Sequence, residues 1–117
     1  MTQRTAYAFP VIIDPETGTV TAAAGAATLN TVAGKITTEA LTQAQGATYT
    51  LTLTNASIAA ADGVMVTLAW GTNSQASPII HRVTPAAGSC VIVVKNMHDS
   101  AVALNGTLVL SYVVIKS

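Results

Sequence analysis

Two histidines, five carboxylates and one cysteine are the groups of this 117-residue chain that first invite an acid–base, nucleophilic or metal reading, and His81, His98 and Asp99 are the ones that tempt a catalytic one. His81 stands in Ile79-Ile80-His81-Arg82-Val83, where alternation with Ile79 and Val83 makes it a strand residue with a backbone or water partner. His98 and Asp99 are neighbours in Lys95-Asn96-Met97-His98-Asp99-Ser100, a segment whose Asn and Asp suit a solvated turn. Asp14, Glu16, Glu39, Asp62 and Asp99 fall mostly in turns or strand edges, which is poor material for a pair of catalytic carboxylates. Cys90 has no second cysteine to pair with and opens the apolar run Cys90-Val91-Ile92-Val93-Val94, so it is expected in the core as a small apolar residue. No spacing fits a zinc-binding HExxH helix, an EF-hand or a P-loop, and Gly88-Ser89-Cys90 lacks the GxSxG frame of a nucleophile elbow. The expectation is a protein that is not an enzyme, with no catalytic residue, no metal and no cofactor. A small hydrolase whose triad the fold assembles around His81 or His98 is the competing chemistry.

The elements that would position these groups are strands. Ala47–Thr54 sets Tyr49, Leu51 and Leu53 on one face and Thr48, Thr50, Thr52 and Thr54 on the other. Gly63–Trp70 follows an Asp62-Gly63 turn and groups Val64, Val66, Leu68 and Trp70. Pro78–Thr84 is a strand opened by proline, and Thr84-Pro85-Ala86-Ala87-Gly88 has the residues of a tight hairpin leading into Ser89–Lys95. Asn105-Gly106 signals a second hairpin before Thr107–Ile115, where Leu108, Leu110, Tyr112 and Val114 share a face; Ile36–Leu41 supplies one more short strand. Six or seven strands with turns about every ten residues and no convincing helix predict an all-β antiparallel β-sandwich.

Residues 1–33 differ in texture. Thr5–Ile13 reads as extended, Asp14-Pro15-Glu16-Thr17-Gly18 as a turn, and Thr19–Asn30 as small and weakly patterned. The expected organisation is therefore an extended N-terminal arm and loop over 1–33 and a β-sandwich over 34–117. Tyr7, Phe9, Val11, Ile12 and Ile13 make that arm apolar enough to need a surface to lie on, either on the chain's own body or on a neighbour. No apolar run of signal-peptide length precedes Pro10, so the chain is expected to begin in its mature form.

Charge is scarce. Zero net charge and 9% charged residues lack the footprint needed to bind nucleic acid or an anionic membrane, so neither is an expected partner. Thr and Ala, roughly a third of the chain, stand where charges usually do. A surface of hydroxyls and methyls is cheap to desolvate and suits contact with protein. Val64–Trp70, Cys90–Val94 and Leu108–Ile115 are uncharged and β-prone, hazardous as bare sheet edges, and only Arg82, Lys95 and Lys116 lie near them. Permanent neighbours are the expected remedy.

Three segments, Thr28-Leu29-Asn30-Thr31-Val32-Ala33-Gly34-Lys35-Ile36-Thr37-Thr38-Glu39, Ala47-Thr48-Tyr49-Thr50-Leu51-Thr52-Leu53-Thr54-Asn55 and Ala103-Leu104-Asn105-Gly106-Thr107-Leu108, resemble small structural proteins of tailed bacteriophages. The likeness is greatest to cement, or decoration, proteins of phage heads. It implies a jelly-roll-like β domain with an extended arm, a place on the outer surface of the capsid in the virion, the major capsid protein as partner, and self-association as a dimer or trimer. The implied function is to decorate and stabilise the head by bridging neighbouring major capsid subunits, with the arm residues Tyr7, Phe9, Val11, Ile12 and Ile13 at the capsid or subunit interface. No catalytic or ligand-binding residue follows from it. The alternative is a tail-fibre or receptor-binding β module in which Trp70 and the Gly71–Ser77 loop touch a host glycan.

Overall fold

Period-two patterning dictates the architecture. The computed structural model describes residues 17–117, among which eight strands form: β1 Thr17–Thr21, β2 Ala26–Thr28, β3 Ala33–Thr37, β4 Thr48–Thr54, β5 Gly63–Trp70, β6 Pro78–Ala86, β7 Ser89–Asn96 and β8 Leu108–Ile115. The arm residues Tyr7, Phe9, Val11, Ile12 and Ile13 lie outside the described residues. On β4 the alternation is complete, with Tyr49, Leu51 and Leu53 buried and the four threonines exposed.

The strands divide into two four-stranded sheets, β1-β3-β8-β5 and β2-β4-β7-β6. Their inner faces meet in one core that includes Ile36, Leu108 and Leu110 from the first sheet and Leu51, Leu53, Ile92 and Val94 from the second, each at most 1% exposed. Strands β3 and β8 form an outer antiparallel pair, and β4 and β7 a pair nested within it in the opposite sheet. Strand β5 then joins the far side of β8, and β6 the far side of β7. Nested pairs alternating between two sheets wind the chain into a β-sandwich.

Three expectations need correction. Residues 17–28 are not arm or loop: β1 pairs with β3 and β2 with β4, both in parallel, so each sheet gains an edge strand from this segment. Thr, Gly and Ala can hold such strands by backbone bonds alone, with only Val20 and Ala27 turned to the core, which is why no apolar alternation announces them. These parallel edges also mean that the sandwich is not wholly antiparallel. Asn105-Gly106 makes no hairpin, because β7 and β8 lie in different sheets. The pair instead closes a loop, where a Cβ on Gly106 would stand 2.6 Å from the backbone of Thr72 and Asn73. The predicted hairpin between β6 and β7 forms, with Gly88 at φ +79°, a conformation glycine adopts at no steric cost.

Candidate interaction surfaces

The groups singled out for chemistry are dispersed. His81 sits at a bulge, where the β6–β7 register slips between Ile80 and Arg82, and this breaks its alternation with Val83 and leaves it exposed. His98 Nδ1 lies 3.5 Å from Asp99 Oδ1 in a turn where Asp99 is 97% exposed, and His98 N donates to Asn96 Oδ1. Cys90 is fully buried as expected, and burial pushes its thiol above the ordinary range. Among the described residues no three of His, Cys, Asp and Glu come together.

One end of the sandwich gathers the loops 38–47, 71–77 and 97–107. Trp70 stands there at the end of β5, 49% exposed, beside the loop expected to serve a glycan. Several polar groups of that loop are already engaged. Asn73 Nδ2 donates to Gln75 O, and Asn73 Oδ1 accepts from Asn105 N. Ser74 N donates to Asn105 Oδ1, and Gln75 Nε2 to Ala103 O. Asn96, fully buried, donates to Gln43 O and Val102 O and so ties the remaining two loops together. A glycan platform needs convergent free donors and acceptors; here Trp70 stands beside amides that bond one another.

The opposite end is tied by two further clusters. Buried Asn55 donates to Thr31 O at 2.8 Å and Tyr112 Oη at 3.2 Å, and accepts from Ser57 N at 2.8 Å. Asp62, with a side chain 1% exposed, accepts from Lys116 Nζ, Ala59 N and Ser117 N. The Lys116 bond above all draws its carboxyl down to about 2. Between the ends, Glu39 accepts from Tyr49 Oη at 2.7 Å and Gly25 N at 2.8 Å, pinning the β1–β2 connection to β4. Burial alone would raise Glu39, yet these bonds leave it below its ordinary value, while burial and then the Glu39 bond raise Tyr49. Sequence reading missed Asn55 and Asn96 as anchors; the available signal was a single amide standing at the end of an apolar strand.

The outer faces of the sheets are close to neutral. On the first, register aligns Thr17, Ala33, Val113 and Met65, then Thr19, Lys35, Ser111 and Thr67, then Thr21, Thr37, Val109 and Ala69. Lys35 is the only charge in these rows and borders a shallow groove of about 420 Å³ over β1 and β3. On the second, the β4 threonines run beside β7 and β6, where Lys95 and Arg82 are the charges. Large apolar side chains stand exposed at Met65, Trp70, Ile79, Met97 and Ile115. The chain matches no protein-family model, no curated protein and no solved structure.

Proposed function

We propose that this chain is a structural virion protein that decorates a phage head and stabilises it by bridging neighbouring major capsid subunits on the capsid's outer surface. The observation that carries the reading is the pair of nearly uncharged outer faces in a chain that opens with an apolar N-terminal segment. Covering such faces strips water from hydroxyls and methyls rather than from ions, so many weak symmetry-related contacts sum without a large desolvation cost. Tyr7, Phe9, Val11, Ile12 and Ile13 are the residues assigned to capsid contact, through strand addition to an open edge.

The test is the copy number of this chain per major capsid protein in purified particles, by quantitative mass spectrometry. A ratio near one is the expected result. A handful of copies per particle would favour the tail-fibre reading, and absence from particles would overturn both. In the glycan reading Trp70→Ala should abolish sugar binding on an array; in the decoration reading there is no sugar binding to lose.

A further inference from the structure

The flank formed by β5 and β6 is incompletely closed. Val64, Val66 and Leu68 on β5 face the core yet are only partly buried, whereas Leu108 and Leu110 beside them on β8 are fully buried. Strand β5 is also the last of its sheet, with no described strand beyond it. Its hydrogen-bonding sides can be read from two contacts. Gly71 N donates to Thr107 O, while on β8 Val114 N turns away to Val32 O. Because backbone groups alternate sides along a strand, the odd-numbered residues of β5 bond β8. The N–H and C=O groups of Val64, Val66, Leu68 and Trp70 therefore point out of the sheet.

Other edges of the molecule are less suited to pairing. Strand β6 carries Pro78, Arg82, Pro85 and a bulge, β2 has three residues, and β1, though free of proline and charge, has only five. Strand β5 has eight residues with no proline, no charge and an unbroken register.

We propose that β5 pairs with β5 of a second copy, antiparallel, about a twofold axis through Thr67. That register sets Val64 opposite Trp70 and Val66 opposite Leu68, so every outward-pointing backbone group of the strand finds a partner. On the outer face Met65, 60% exposed, meets Ala69, and on the inner side Trp70 meets Val64, so each large side chain faces a smaller one. The strand holds no charge to repel its own copy. The two four-stranded sheets become one of eight strands, and the partly buried valines and Leu68 gain cover. A twofold contact of this kind uses the same patch on both partners and closes at two copies.

The inference is independent of the virion reading, since such a dimer forms in free solution whatever the protein decorates. Sedimentation velocity of the full chain at about 50 μM, where an interface of ordinary size is filled, should give twice 11.9 kDa. Thr67 is exposed, and at the axis it would face itself in a non-hydrogen-bonded pair with Cα atoms about 4.5 Å apart. Thr67→Lys and Thr67→Glu should each give a monomer with unchanged circular dichroism, and an equimolar mixture of the two should restore a dimer. A monomeric wild-type chain, a trimer, or a Thr67→Lys variant that still dimerises would overturn the proposal. So would dimerisation that survives both Thr67 variants and disappears on deleting residues 1–13, which would assign the contact to the N-terminal segment.

Discussion

Strands β5 and β6 lie side by side on one flank of the sandwich, one from each sheet, and meet the same problem with opposite chemistry. Strand β6 is made unfit for pairing along its own length: prolines at Pro78 and Pro85 withhold N–H donors, a bulge at His81 breaks the ladder, and Arg82 puts a charge where a neighbour would dock. Strand β5 has none of these and keeps a regular eight-residue ladder with Met65 and Trp70 in the open. Two edges that share one core need not share one strategy. An edge can be closed by its own sequence, or left competent and closed by a partner.

The sharpest way to break this comparison is to remove the same side chain on either side of one ladder. Leu68 on β5 and Leu110 on β8 are direct partners in register, yet Leu110 is fully buried and Leu68 only partly so. Leu110→Ala should lower unfolding free energy by about 3 kcal/mol, through lost transfer energy and the cavity left behind. Leu68→Ala should cost roughly half of that in dilute solution, because its side chain is less completely removed from water. Urea unfolding at low protein concentration measures both. Equal losses would mean that the β5 flank is as closed as the centre and would dissolve the contrast.

A gentler change tests the guard on β6 directly. Arg82→Thr combined with Pro85→Val removes a charge and a missing donor from exposed or partly exposed positions. Stability should move by less than about 1 kcal/mol, while light scattering should show association that rises with concentration. A double variant that stays as dispersed as the parent would mean that the bulge alone protects this edge.

How much of this was legible beforehand depends on what each part of the fold asks of side chains. On strands β4 and β8 one face is buried and the other more open, so Tyr49, Leu51 and Leu53, or Leu108, Leu110, Tyr112 and Val114, mark themselves by alternation. Strands β1 and β2 are held at the sheet edges by parallel backbone bonding and ask little beyond small size, so Thr17–Thr28 read as loop. Asn105-Gly106 was persuasive locally and wrong globally, because whether a turn returns the chain to the same sheet is decided by the whole winding. The scarcity of edge guards could be counted from the sequence. That Arg82 defends β6 while β5 goes undefended could not, since being an edge is a property of strand order.

The smallest expected effect concerns how β5 is fastened to β8 at its start. Asp62 immediately precedes β5 and accepts bonds from Lys116 and Ser117, which immediately follow β8, so one carboxylate clasps the two strands at a shared end. Its pKa falls from an unfolded value of 3.8 to about 2 in the folded protein, chiefly through the Lys116 bond. A depressed carboxylate contributes stability that is complete above its unfolded pKa and is lost as pH falls through the folded one. Stability should therefore decline from about pH 4 toward pH 2, with backbone hydrogen exchange at the Gly63 end of β5 rising before that of the buried centre of β8. Asp62→Asn should remove that part of the acid dependence and leave the part due to Glu39, whose carboxyl is also held below its ordinary value. An Asp62→Asn variant with the wild-type acid profile would show that the clasp carries no proton-linked stability, and that β5 is held at this end by its ladder alone.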